Sequence, residues 1–162
     1  MLGSLFNKKK EIILVAPLTG KVVLLEDVPD QVFSQKMMGD GVAIIPTDNE
    51  LVAPFDGEVV DVFPTKHAIT LRSKEGLEIL IHMGLDTVNL NGEGFTVHVN
   101  GGDKIKSGQS LANYDIQHVA NAGLNVITPI IIMNQDRFEI SDRKNDVNII
   151  NGKDVILEVK KR

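Results

Sequence analysis

"HAITLRSKEGLEILIHM", residues 67–83, sets two aliphatic runs on either side of the polar turn Ser73-Lys74-Glu75-Gly76. Each run has the length and Ile/Leu content of a strand, and Gly closes the turn, so the stretch predicts an antiparallel hairpin. A four-residue turn over 73–76 places Arg72 opposite Leu77, Leu71 opposite Glu78, Ile69 opposite Leu80 and His67 opposite His82. Side chains opposed on one face of such a ladder have Cβ atoms about 4.5–5.5 Å apart. Strand alternation adds Thr65 to the face of His67. The reading therefore expects two imidazoles and a hydroxyl together at one end of a sheet. It depends on the turn length, because a slip of one residue sends one histidine to the other face.

The same pattern of short Val/Ile/Leu-rich runs, punctuated by Gly, Pro, Asn and Asp, extends along the chain. "EIILVAP", "GKVVLLED", "GVAIIP", "GEVVDVF", "FTVHV", "VITPIIIM", "RFEIS" and "DVILEVK" all read as strands. Helix is scarce. "DQVFSQK" (30–36) suits little more than one turn, and "DIQHVANAG" (115–123) a short surface helix with Asp115 as N-cap and Gly123 as stop. The fold class expected is all-β, an antiparallel β-sandwich of barrel-like character with one or two short helices. An internal repeat sharpens this. "VAPLTGKVV" (15–23) returns as "VAPFDGEVV" (52–60), with six of nine positions identical, so two related motifs are expected to share one core. "GGDKIKSGQSL" (101–111) reads as a looser echo of "MGDGVAI" (38–44).

At 162 residues the chain suits one domain that buries about 68–70% of its unfolded surface. Residues 1–11 read as a flexible N-terminal tail and 12–162 as a single domain. The tail, "MLGSLFNKKK" and Glu11, is too short for a signal peptide and carries no cleavage site. Its Leu2, Leu5 and Phe6 before three lysines would give only a weak foothold on a membrane surface. Its initiating Met favours a free-standing chain over a piece cut from a larger permease. The chain has no cysteine, which rules out a disulfide framework and a thiolate site and suits a reducing cytoplasm. A net charge of −5 argues against nucleic acid and suits a basic protein partner. A soluble monomer is expected.

The paired histidines are the chemical feature. Imidazole titrates near neutrality, so its neutral nitrogen can attack a phosphoryl group. Phosphoryl transfer rests mainly on positioning and electrostatic stabilisation, which a second imidazole and the Thr65 hydroxyl can supply. A carbonyl in the loop after His82 can hold the proton of the other ring nitrogen, and Gly84 lets the backbone turn back to do so. Asp86 would orient the second ring or steer a basic partner. Two alternatives stand beside this. The histidines are ordinary structural ones, or they bind zinc with Asp86 or His98 as third ligand, as in a peptidase; the chain, however, has no H-x-H or H-E-x-x-H spacing. A lipoyl or biotinyl carrier, suggested by "GDKIKSGQ", lacks the lysine motif such carriers need. His98 and His118 read as structural or solvated.

"GLEILIHMGLDTV" (76–88) resembles the phosphorylation-site signature of the glucose-type enzyme IIA of the bacterial phosphoenolpyruvate:sugar phosphotransferase system. "PTKHAI" (64–69), "EDVPDQVFSQKMMGDGVAIIP" (26–46) and "TPIIIMN" (128–134) resemble further segments of that family in the same order, and the likeness runs from about residue 12 onward. The resemblance implies a sandwich built of duplicated hybrid motifs, one EIIA type-1 domain over 12–162. It implies that His82 takes a phosphoryl group on Nε2 from the phosphocarrier HPr and passes it to a cysteine of a permease IIB domain. It makes His67 the stabiliser of the phosphohistidine and Thr65 its supporting hydroxyl. It places Phe33, Met37, Met38, Phe63, Leu80 and Val88 in an apolar docking ring, with the acids Asp30 and Asp86 nearby. No cofactor is required. Zinc is implied only between His67 and His82 when a partner adds a carboxylate, and regulatory targets are expected to distinguish the phosphorylated from the free state.

Overall fold

The strands read from the sequence form, and each pairs antiparallel with its neighbours. The computed structural model describes residues 11–162, so the tail and its membrane foothold lie outside the described residues, except that Glu11 already pairs with Lys160. In chain order the strands are β1 (Glu11–Val15), β2 (Gly20–Leu24), β3 (Gly41–Pro46), β4 (Glu50–Val52), β5 (Gly57–Val62), β6 (Ala68–Ser73) and β7 (Glu78–His82). There follow β8 (Phe95–Val97), β9 (Lys104–Ile105), β10 (Ser110–Tyr114), β11 (Thr128–Ile132), β12 (Phe138–Arg143), β13 (Val147–Ile149) and β14 (Val155–Lys161). One sheet has eight strands in the order β13-β2-β3-β11-β7-β6-β5-β9, and two three-stranded sheets, β1-β14-β12 and β4-β10-β8, complete the sandwich. The strands β4, β9, β10 and β13 carry too few consecutive aliphatics to stand out in the sequence.

Both short helices form, the second with the cap read from the sequence and the first with a cap that was not. Asp30 accepts a hydrogen bond from Val32 N at the start of Gln31–Ser34, and Asp115 accepts one from His118 N at the start of Ile116–Asn121. Gly123, at φ +80°, ends the second.

The repeat is a structural one. Val15 N donates to Pro54 O at 3.0 Å, and Val52 N donates to Pro17 O at 2.9 Å. These are the same bond with the two copies exchanged, so a local two-fold relates them. The partners of the copies match as well. Gly152 N donates to Ala16 O and Gly108 N to Ala53 O, both at 2.8 Å. Asn151 N bonds Thr19 Oγ1 and Ser107 N bonds Asp56 Oδ1. The counterpart of the "KSGQ" turn is therefore the Asn151-Gly152 turn and not the 38–44 segment that the sequence suggested. Equivalent glycines sit at the start of β2 and of β5, where the backbone of the paired strand leaves no room for a side chain. A Cβ on Gly20 would lie 2.1 Å from Ile45 O, and one on Gly57 would lie 2.0 Å from Arg72 O.

The large sheet buries both faces. Val42, Ile44, Ile69, Leu71, Ile79, Ile81, Ile130 and Ile132 point into the main core with Leu14, Phe55, Tyr114 and Phe138. Ala43, Ala68, Leu80 and Ile131 point the other way, into a smaller cluster roofed by Leu25, Val28 and Phe33. β7 ends on His82, whose side chain by alternation belongs to the face of Leu80.

Gly57→Ala puts a methyl against rigid backbone, so it is expected to lower stability by about 1–3 kcal/mol or more. Gly20→Ala should behave alike. Chemical denaturation checks both, and a variant as stable as the parent would show that the close pairing can open.

Candidate functional site

β7 delivers His82 to the rim of the sheet, half-buried, and the loop that follows holds the ring. His82 Nδ1 lies 2.7 Å from Gly84 O. A carbonyl only accepts, so Nδ1 carries the proton and donates, and in the neutral ring Nε2 keeps its lone pair. The tautomer is set by this one bond. Gly84 has φ +81°, and a Cβ there would meet Thr87 Cγ2 at 2.6 Å and both Asn125 O and Tyr114 Oη at 3.0 Å. Both conformation and space demand glycine. The loop is pinned from beneath. Thr87 Oγ1 donates to Met83 O at 2.7 Å, Leu85 N donates to Asn125 O at 2.9 Å, and Tyr114 Oη donates to Val126 O at 2.8 Å.

His67 meets His82 edge-on, with ring centroids 4.9 Å apart and planes at 81°. The hydroxyl of Thr65 is 2.8 Å from His67 Nδ1. Two phenyl rings wall the pair, Phe33 at 5.0 Å from His82 and Phe63 edge-on at 5.7 Å from His67.

The expected group therefore assembles, but by a different route. The ladder pairs Ala68 with His82, Ile69 with Ile81 and Arg72 with Glu78, one residue away from the register read from the sequence. The cause is the turn. Gly76 N donates to Ser73 O and Ser73 N to Leu77 O, and Gly76 has φ +97°. The loop is thus the three residues 74–76 with glycine in the left-handed position, not four. His67 precedes β6 and follows Lys66, itself left-handed at φ +61°. It reaches His82 from a turn and not from an opposed ladder position.

Burial sets the electrostatics. His67 is 4% exposed, and burial, then the neighbouring charge on His82, pull its pKa down to about 4. Burial also lowers that of His82, against the Gly84 carbonyl and the carboxylates of Asp30 and Asp86, which favour the charged ring. Both imidazoles are held neutral at physiological pH.

The other expected residues divide. Met37 is 69% exposed, and Met38 and Val88 are also open. Phe63 is half-buried. Phe33 and Leu80, at 4% and 1% exposed, lie beneath the site and support it, so they cannot line an open docking ring as the resemblance implied. Asp86 is exposed, in the left-handed region at φ +59°, and acts on His82 by charge. The hydrogen bond that orients His67 comes from Thr65 instead. His98 is exposed on the flank of β8, and His118 pairs with Glu93 at 3.7 Å. Among the described residues no three His, Cys, Asp or Glu side chains converge to hold a metal. Tyr114 and Asn125 were not found in the sequence, and Thr87 was read only as part of the 76–88 motif, without its bond to Met83 O. Each works through a contact distant along the chain or through a backbone atom, and neither leaves a local motif.

The grooves of about 450 and 400 Å³, lined by residues such as Ile12, Pro54 and Ser107 and by Glu58, Arg72 and Lys104, contain neither histidine. No helix among the described residues is long and apolar enough to cross a membrane.

Comparison with known proteins gives a consistent result. The model of the family described as phosphoenolpyruvate-dependent sugar phosphotransferase system, EIIA 1, matches residues 12–138. A protein of Staphylococcus epidermidis named PTS system glucose-specific EIIA component is 46% identical over 98% of both chains. One of the same name from Oceanobacillus iheyensis is 48% identical over 98% of this chain and 99% of its own. Glucose permease IIA from Mycoplasma capricolum shares the fold with a TM-score of 0.85, 37% identity, and coverage of 92% of this chain and 96% of that one.

The depressed pKa of His67 makes stability depend on pH. The unfolded ring, near 6.5, binds a proton that the folded ring refuses down to about 4. The contribution is therefore whole above 6.5 and is lost as pH falls from 6.5 toward 4, by up to ~1.4 kcal/mol per pH unit. Denaturation at pH 7, 6 and 5 should show the decline, and His67→Gln should flatten it. Equal slopes in the two proteins would remove His67 as its source.

Proposed function

The chain belongs to the EIIA 1 family of the phosphoenolpyruvate-dependent sugar phosphotransferase system, and on that premise we propose that it is a cytoplasmic phosphocarrier between HPr and the IIB domain of a glucose-type permease. The observation that carries this reading is the bond from His82 Nδ1–H to Gly84 O, which leaves the Nε2 lone pair free beside His67. In the first step that lone pair attacks phosphorus on the phosphohistidine of HPr. The new N–P bond forms as the donor's N–P bond breaks, and the electron pair returns to the donor imidazole. In the second step a cysteine thiolate of the IIB domain attacks, and the N–P electron pair returns to His82. This chain has no cysteine, so the acceptor thiolate comes from the partner.

His67 has a definite part in this scheme. If the Thr65 hydroxyl donates to Nδ1, the proton of His67 sits on Nε2 and can be donated to a phosphoryl oxygen. A hydroxyl can serve as donor or acceptor, so Thr65 permits this tautomer. The exposed Met37, Met38 and Val88 would receive both partners in turn, since methionine repacks at little cost. Phosphorylation adds about −1.5 to −2 charge to this apolar face, enough for regulatory targets to distinguish the two states. Zinc would need a partner carboxylate beside His67 and His82, because two imidazoles are an incomplete tetrahedral set.

Incubation with phosphoenolpyruvate, enzyme I and HPr should label the protein with an acid-labile, base-stable phosphate. His82→Ala should take no label, and label that persists would overturn the acceptor. His67→Gln should still take it but pass it to a IIB domain about 100-fold more slowly. Transfer at the parent rate would remove His67 from the mechanism.

A further inference from the structure

We propose that Lys66 is a positioning residue for phosphoryl transfer, acting through its left-handed backbone and not through its charge. The inference rests on the phosphocarrier reading for its consequence, and on geometry alone for its cause.

The ladder register poses a problem that Lys66 solves. With Ala68 opposite His82, a straight extension of β6 would turn His67 toward the face of Ile69, into the main core. Its ring instead stands 4.9 Å from that of His82 and 5.7 Å from that of Phe63, which packs on the smaller cluster. The chain must therefore bend just before β6, and the residue there with unusual backbone is Lys66, at φ +61°.

The turn is of a recognisable kind. Lys66 N donates to Phe63 O at 2.7 Å, as Gly76 N donates to Ser73 O at 3.0 Å in the next hairpin. Pro64 occupies the second position of the first turn, where its fixed φ fits. Both turns end on a left-handed residue, glycine in one and lysine in the other. A side chain with a Cβ is strained in this conformation, and such strain persists where neighbouring structure enforces it. Here the bonds on either side enforce it. Phe63 N donates to Ala68 O at 3.0 Å and Met83 N to His67 O at 2.8 Å, while the Thr65 hydroxyl holds His67 Nδ1 across the bend.

The side chain points to a backbone role. Lys66 Cδ lies 3.9 Å from where a Cβ on Gly92 would be, so the stem runs along the neighbouring 91–94 turn. Lys66 makes no ion pair among the described residues. The charges that act on His82 are those of Asp30 and Asp86.

The series Lys66→Gly, Lys66→Ala and Lys66→Val separates backbone from charge. All three remove the ammonium, whereas tolerance of positive φ falls from Gly to Ala to the β-branched Val. Two quantities are measured on proteins shown to be folded by thermal unfolding. NMR titration of the His67 ring, without any phosphate donor, should match the parent in Lys66→Gly and in Lys66→Ala, whose Cβ is the one lysine already carries, and move toward the ordinary histidine range in Lys66→Val. Transfer from His82 to the IIB domain should follow the same order, with Lys66→Gly close to the parent and Lys66→Val slowed roughly 100-fold, as a displacement of about 1 Å can do. If Lys66→Val does not fold, the smaller β-branched Lys66→Thr takes its place against Lys66→Ala. Three variants equally impaired would make the charge the active feature, and a Lys66→Val that behaves as the parent would remove Lys66 altogether; either overturns the proposal. If the parent takes no phosphate, the phosphocarrier reading fails, yet the titration order still decides whether Lys66 aims His67.

Discussion

The hydrogen bond from His82 Nδ1 to the Gly84 carbonyl is the constraint around which the site is built. It requires the chain to reverse within two residues of the strand, in a left-handed conformation with no room for a side chain. A loop so shaped has little stability of its own, and the fold supplies it from below. Tyr114 stacks on Phe95 with planes 18° apart and holds the Val126 carbonyl. Burial raises the pKa of its phenol, so the hydroxyl remains a donor. The adjacent Asn125 holds Leu85 through its carbonyl and braces Ile127 N through its side chain. Thr87 then ties the loop to Met83. The orientation of one imidazole thus rests on residues up to 44 positions away in the chain.

That placement decides the proton inventory. Two imidazoles 4.9 Å apart cannot both be charged without mutual repulsion, and burial disfavours either charge. The carboxylates of Asp30 and Asp86 oppose this at His82, yet the net direction is downward, so desolvation wins. The outcome is a neutral imidazole at neutral pH, the form that the proposed transfer needs. For the proposed carrier this balance would be useful, since the fixed charges that act on His82 are negative. They do not hold an incoming phosphoryl group as a cluster of cations would, and a group held too firmly is not passed on.

The fold was legible because its signals are local. Aliphatic runs between Gly and Pro mark the longer strands, Asp115 marks the start of the second helix, and a nine-residue repeat marks the duplication. The histidine pair was legible for a partly mistaken reason. Sequence counted a four-residue turn where Gly76 makes a three-residue one. The slip should have parted the rings by the logic of strand parity. They meet because His67 lies outside the ladder, in a turn whose left-handed residue is a lysine, and nothing in lysine's chemistry announces that conformation. Burial was illegible for the related reason that Leu80 and Phe33 look like any exposed hydrophobe until the segment 25–39 is seen to roof the sheet.

The roof also explains how one face can be both firm and adaptable. The Gln31–Ser34 helix is capped by Asp30 at its start. The segment's far end is clamped by Asp40, which takes both guanidinium nitrogens of Arg143 at 2.9 and 2.8 Å. That pair and the Gly41 N–H hold the Asp40 carboxyl down to about 2, so the clamp keeps its charge at any physiological pH. Between cap and clamp, Gly39 lies so close to Ile132 that a Cβ would sit 2.2 Å from its carbonyl. The backbone under Met37 and Met38 is therefore fixed at both ends and pressed onto the sheet. What can move is the pair of exposed, unbranched thioether side chains, each with three rotatable bonds. Adaptability to the differently shaped partners proposed for this face would then cost no displacement of Phe33, and so none of His82, against whose ring Phe33 packs.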